Sequence, residues 1–355
     1  MKVSIAGGGP AGLITALYLS RIPGTDITVY EKQDEGTYRS SLCAEGISLE
    51  KLKRLENETG FCSTPFIAAR VRGVRVNFPN RRQGIVIQDG ATLKRTEWLR
   101  GMIEVLRQRK VAVRFSERYA GPDVPDDGWL IGADGPASKI RSRIGGRVEQ
   151  VPAVQYRMRL DWPKDYFDVF VGSRFYGRSK AHGYGWIFPR DNGVFNVGAG
   201  GSYDILDQFL ADYGISGSIE EKGAAPISVN GTVFERGRVL LVGDAAGLTN
   251  PVTCGGLCAI ICCAGYLRQA VSSGQPGVYT RLIKRHGLFP ADWNRRQQVF
   301  YLNDPQFNLV GDLCADRRVN PPGPAFFGRL AATPRLWKTC LRLGRHIPAL
   351  KSVSW

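Results

Sequence analysis

The chain opens with a short apolar run, VSIA (3–6). It stops at three glycines and resumes with apolar residues at Leu13, Ala16, Leu17 and Leu19. A continuous apolar run followed by a helical period predicts a buried strand and then a helix. DITVY (26–30) supplies the next strand. Further along the pattern becomes alternation. ARVRGVRVNF (69–78) sets Arg70, Arg72 and Arg75 among valines, as a half-exposed strand does. GIVIQ (84–88), VPAVQYRMRL (151–160), YFDVFVG (166–172), GWIFP (185–189) and FNVGAG (195–200) read as further strands of the same sheet. Tyr184, Trp186 and Phe188 fall on alternate positions, so one face of a strand carries three aromatic rings. A core strand would look the same. From Ala245 to Leu267 no residue is charged, a length that could cross a bilayer. Asn250, Pro251, Thr253, Gly255 and Gly256 interrupt its first half, so a loop entering a short buried helix is expected.

These elements predict an α/β chain. A parallel sheet takes residues 1–66, 91–148 and 228–285. A mostly antiparallel sheet takes 69–90 and 149–227, and residues 286–355 read as helices and loops. A length of 355 residues suits about two domains. No charged segment leading into an apolar one opens the chain, so no secretion signal is expected. The eight cysteines form no CxxC pair and no metal spacing with the three histidines, which reads as a reducing, cytoplasmic setting without metal. Cys254, Cys258 and Cys262 lie four apart and would stack on one helical face as small buried hydrophobes.

Net charge is +16, and no acidic residue follows Asp316. Thr333 and Pro334 can start a helix that places Arg335, Lys338, Arg342 and Arg345 on one face. Two readings stay open: a peripheral contact with an anionic membrane surface, or a helix docked on the core with a solvated cationic face. No nucleic-acid module accompanies the charge, so nucleic acid is not expected as a partner.

The chemistry begins at Gly7-Gly8-Gly9-Pro10-Ala11-Gly12, which follows a strand and opens a helix. Glu31 ends the next strand, nineteen residues on. That context makes GxGxxG a dinucleotide signature. Gly7 makes the tight turn, Gly9 lets a pyrophosphate approach, and Gly12 lets helix and strand pack closely. The helix N-terminus offers N–H groups to phosphate, and Glu31 can accept from the adenosine ribose.

Two later stretches, GADGPASKIRS (132–142) and LVGDAAGLTNPVTCGGL (241–257), resemble the paired glycine-aspartate motifs of flavoproteins with the p-hydroxybenzoate hydroxylase fold. The resemblance implies a Rossmann-like FAD-binding domain interleaved with an antiparallel-sheet substrate domain. It puts Asp244 on the flavin's ribityl region. Gly255, Gly256 and Leu257 would start a helix aimed at the flavin ring, where a helix N-terminus stabilises negative charge. Tyr184-Gly185-Trp186-Ile187-Phe188-Pro189 resembles the YxWxFP signature of geranylgeranyl reductases, whereas halogenases of this fold carry WxWxIP. RSSLCAEGIS (39–48) is similar to that family's cysteine loop beside the flavin, with Cys43 and Ala44 at the flavin-contacting positions. Ala44 departs from the glycine of CGEG in many relatives. Arg95 matches the family's arginine near the cofactor, and Ala120 a backbone contact to the adenosine half. The resemblance runs from residue 1 to about 285.

It implies reduction of isoprenoid double bonds on a diphosphate or prenylated lipid. Tyr184, Trp186 and Phe188 would line the substrate site and Cys43 would be the titratable group near the reacting ring. Prenyl chains offer no hydrogen bonds, so apolar shape must hold them. NAD(P)H and reduced ferredoxin both remain open as electron donors. The rival reading is an FAD monooxygenase acting on a lipophilic or aromatic substrate.

Overall fold

The opening apolar run forms β1 (Lys2–Ala6), and the helical period after it forms α1 (Pro10–Leu19). The computed structural model describes residues 1–41, 43–121, 128–176, 183–250, 253–285, 302–314, 317–318, 324–334 and 337. Every residue of α1 from Ala11 to Leu19 is buried. A helix apolar all round belongs inside a structure, and α1 packs against α3 (Arg95–Gln108) and α6 (Leu257–Ser273).

These helices lie on the first sheet, whose order is β13 (Glu235–Arg236), β14 (Val239–Leu241), β7 (Gly128–Gly132), β1, β2 (Asp26–Tyr30) and β6 (Ala112–Arg114). All neighbours are parallel except β13 and β14. Buried parallel strands read as continuous apolar runs, and GWLIG and VLL do so.

The second sheet contains β4 (Ile67–Asn77), β5 (Gln83–Leu93), β8 (Glu149–Arg159), β9 (Phe167–Phe170), β10 (Gly185–Pro189), β11 (Val194–Gly200) and β12 (Ser218–Val229). Two short strands join it, β3 (Gly46–Ser48) and β15 (Arg317–Arg318), giving the path β12-β8-β11-β10-β9-β4-β5-β15 with β3 on β5. Alternation assigns its faces. Ile187, Phe195 and Val197 pack under Leu206, Phe209 and Leu210 of α5 (Tyr203–Tyr213). Trp186 and Phe188 turn to the other face, with Val71, Val74, Phe167 and Val169.

Several segments sit differently from the sequence expectation. Gly46–Ser48 falls within the stretch assigned to the parallel sheet, yet it pairs antiparallel with β5. Arg317–Arg318 adds a strand parallel to β5 where helices and loops were expected. The uncharged stretch after Ala245 becomes a loop and then buried α6. Among the described residues no helix is long and apolar enough to cross a membrane. Thr333 follows the helix Pro324–Ala331, and its hydroxyl donates back to the Arg329 carbonyl. Arg335, Lys338, Arg342 and Arg345 lie outside the described residues.

Arg75 is not the exposed charge that the alternation of β4 implied. Its guanidinium donates to both Asp168 carboxylate oxygens at 2.5 and 2.7 Å, across the parallel β4–β9 pair. Asp168 is 0 % exposed and also accepts from Asn77 and from the Trp162 indole. Removing one partner of a buried pair strands the other charge. Asp168→Ala is expected to cost roughly 3 kcal/mol, read as a lower urea midpoint by tryptophan fluorescence. Arg72→Ala, whose partner Asp165 is exposed, should move the midpoint little.

Candidate functional site

The glycine loop between β1 and α1 is set by close approach. Gly7 has φ +108°, and a Cβ there would lie 2.3 Å from the Ala133 carbonyl oxygen. A Cβ on Gly12 would lie 1.9 Å from the Gly7 carbonyl oxygen, whereas one on Gly9 would meet nothing within 4 Å. Gly7 and Gly12 are therefore required by packing, while Gly9 leaves open space beside the start of α1. No side chain caps α1, so its first N–H groups face outward unclaimed by a capping residue. Glu31 closes the loop from β2, accepting from Gly8 N–H at 2.9 Å and from Gln33 N–H at 2.8 Å. Tyr38 donates to the Gly8 carbonyl at 2.6 Å. Ala120 lies exposed beyond Glu117, whose N–H donates to the Glu31 carbonyl.

The two glycine-aspartate motifs meet through one side chain that sequence reading did not single out. Arg141 is buried and donates to the carbonyls of Pro136, Asp244 and Ala245. It thereby ties the turn after β7 to the turn after β14. Asp134 accepts from Lys139 N–H through Oδ2, while its Oδ1 is buried without a partner. Asp244 Oδ1 accepts from Ser228 N–H at 2.8 Å. Burial pushes the Asp244 carboxyl above the usual carboxylate range, against the pull of that N–H, Arg95 and Arg141. Arg95 begins α3, and its Nε is also buried without a partner.

A cavity of about 300 Å³ opens where these elements reach the second sheet. It brings together Cys43, Ala44, Arg95, Asp244, Gly255, Gly256 and Leu257 with Tyr184 and Trp186. Gly256 starts α6 without a side-chain cap. The cavity therefore meets a second helix N-terminus, with the partial positive charge such an end carries. Cys254 precedes it at φ +53°, its thiol pushed up to about 12 by burial and by Asp244. Apolar residues of β8 and β12, among them Val151, Ala153, Ala225 and Ile227, form the wall on the sheet side. Tyr184 donates its hydroxyl to the Thr253 carbonyl, pinning the aromatic strand to the loop before α6.

Phe188 takes a different place from Tyr184 and Trp186. It is fully buried, stacks on Phe167 with centroids 4.3 Å apart, and lies behind Gly46 rather than in the cavity lining. Alternation puts it on the right face, but the Cys43–Gly46 turn covers it. Gly7, Gly9, Gly12, Glu31 and Ala120 are likewise not in this lining. In the turn, the left-handed backbone conformation sits at Glu45 (φ 64°), one residue after Ala44. The Glu45 carboxylate is 4 % exposed and is met by Arg190, Asn196 and Arg157. Desolvation pushes its carboxyl up, and those partners pull it back. The sequence trace of this arrangement is slight: Asn196 in the otherwise apolar β11, and Gln155 between Val154 and Tyr156 of β8.

No family model matches the chain. Among curated proteins it is 31 % identical to digeranylgeranylglycerophospholipid reductase 2 of Methanopyrus kandleri, over 74 % of each chain. It is 25 % identical to a protein of the same name from Thermoplasma volcanium, covering 89 % of this chain and 91 % of that one. Among solved structures it resembles a geranylgeranyl bacteriochlorophyll reductase-like protein of Thermoplasma acidophilum, with a TM-score of 0.78, 23 % identity, and coverage of 95 % and 98 %.

The glycine geometry predicts opposite outcomes for two alanine substitutions. Gly12→Ala drives a methyl group into backbone and should cost about 3 kcal/mol of stability. Gly9→Ala meets nothing and should change stability by less than about 0.5 kcal/mol. Urea midpoints of the two variants check both.

Proposed function

The chain belongs to the digeranylgeranylglycerophospholipid reductase family, and from that premise we propose that it binds FAD and saturates carbon–carbon double bonds of geranylgeranyl chains carried on a lipid or a diphosphate. One observation carries the reading: a single cavity is lined by the uncapped start of α6, Asp244 and Cys43 on one part, and by Tyr184, Trp186 and apolar strand residues on another.

The residues fit the cofactor. Gly9 leaves room for a pyrophosphate beside α1. Arg95 Nε and Asp134 Oδ1 are buried polar atoms awaiting partners. Glu31 sits at the end of β2 where a ribose would lie. Bound there, the flavin would supply a hydride to one alkene carbon while the other takes a proton, adding two hydrogens per bond.

The protein's own contribution is binding, orientation and electrostatics. The start of α6 places partial positive charge at the cavity, which favours an anionic reduced ring. Tyr184 and Trp186 offer apolar bodies whose polar tips are already satisfied, by the Thr253 carbonyl and by Gln155. A prenyl chain can then pack against them without stranding a polar group. Cys43 Sγ accepts from Glu45 N–H at 3.4 Å, which holds the thiol in the turn at the cavity wall. The electrons come from NAD(P)H or a reduced ferredoxin, told apart by which one bleaches the flavin anaerobically. The surplus of positive charge suits an acidic donor protein or an anionic lipid head group.

The test is anaerobic. The purified protein is reduced with dithionite and mixed with geranylgeranyl diphosphate or a digeranylgeranylglycerol phospholipid. Reoxidation of the flavin with products heavier by two hydrogens per step is expected. A flavin that stays reduced until air enters, with hydroxylated product, would replace this reading by the monooxygenase one. Ala225→Trp, on strand β12 of the cavity wall, should keep the flavin and lower kcat/KM at least tenfold by filling the apolar space, measured in the same assay.

A further inference from the structure

Trp186, Gly198, Gln155 and Gly223 form one row across four adjacent strands. The register pairs Trp186 with Gly198, Gly198 with Gln155, and Gln155 with Gly223. A Cβ on Gly198 would lie 2.2 Å from Trp186 Cζ2. The bare backbone at 198 is therefore what lets the indole lie across β11 and reach the strand beyond. There Trp186 Nε1 donates to Gln155 Oε1 at 3.2 Å.

The amide of Gln155 has no choice of orientation. An indole N–H only donates and a backbone carbonyl only accepts. Gln155 Oε1 must face Trp186, so Nε2 faces the Cys43 carbonyl at 3.1 Å and Asn196 Oδ1 at 3.3 Å. That fixes Asn196 in turn. Its Nδ2 donates to the Ala44 carbonyl at 3.0 Å and to Glu45 Oε2 at 3.1 Å. Every donor points the same way, from the aromatic strand into the turn, and the series ends on a carboxylate held by Arg190. Gln155 is 3 % exposed and Asn196 is 0 % exposed. Polar groups so deeply buried are costly unless they are bonded.

We propose that Gln155 and Asn196 are positioning residues that clamp the Cys43–Glu45 backbone to Trp186, so that the turn and the aromatic wall face the cavity as one rigid unit. The clamp holds two successive carbonyls, Cys43 and Ala44, and Glu45 behind them carries a left-handed φ that the surroundings must maintain. Its catalytic consequence rests on the reductase reading above, since the turn and Trp186 line the cavity assigned to that reaction. The clamp itself is a property of the protein alone.

The test separates these two levels. Gln155→Leu keeps the volume and removes every side-chain bond, while Gln155→Glu, when ionised, still accepts from Trp186 but cannot donate to Cys43 or Asn196. Hydrogen exchange of the peptide bearing Cys43 to Glu45, followed by mass spectrometry on the protein without substrate, should accelerate about tenfold in both variants. Peptides of β1 and α1 should keep the wild-type rate. With geranylgeranyl diphosphate and reduced protein, kcat should fall about tenfold while KM stays within about twofold. Wild-type exchange at the turn in a folded Gln155→Leu protein overturns the clamp, whatever the activity. Faster exchange in a protein whose wild type reduces no isoprenoid upholds the clamp and removes the reductase reading. Faster exchange with unchanged kcat overturns the catalytic consequence.

Discussion

The helices α1 and α6 both begin on glycine, and neither is capped by a side chain. An uncapped start leaves backbone N–H groups seeking acceptors, and much of the surrounding structure keeps those two starts open. Gly7 and Gly12 let α1 approach the first sheet until no side chain could stand between them. Arg141 draws the turns after β7 and β14 together by donating to three carbonyls. α6, buried and uncharged to Leu267, runs against α1. The first sheet thus serves mainly to hold two partial positive ends in place, and the second sheet supplies an apolar wall near one of them.

The first layer was legible because its signals are local. Three glycines after an apolar run, followed by a helical period and an acidic strand end, form one continuous stretch of chain, and the fold class follows from it. The faces of the second sheet were legible too, because period two separates Ile187 from Trp186 and Phe188. Depth was not. Nothing in the alternation says that the Cys43–Gly46 turn would cover Phe188 and leave Trp186 at the cavity. Gly46–Ser48 is too short to show any period, and its partner strand lies forty residues on, so its change of sheet could not be read. Arg75 looked like a surface charge because Asp168 is 93 residues away.

Buried polarity concentrates where the two sheets meet. Glu45, Asn196, Gln155, Asp244 and Arg141 all lie there, each meeting a backbone group or an opposite charge. Another buried polar group sits within the second sheet, where Asp168 is held by Arg75, Asn77 and Trp162. Apolar packing tolerates many arrangements of similar volume, whereas directional bonds between fixed donors and acceptors tolerate few. Directional bonds of this kind fix the seam that lines the cavity and, separately, the β4–β9 pair around Asp168.

The strand β12 has a consequence of another kind. It lies at one end of the second sheet's path and turns Gly223, Ala225 and Ile227 toward the cavity. A long terminal strand is a template on which another chain could add. Pro226 contributes no N–H, Glu220, Glu221 and Lys222 bring charge, and the register slips between Ile219 and Glu221. Each of these features discourages a further strand. The cavity wall can therefore end on this outer strand without becoming a seed for aggregation.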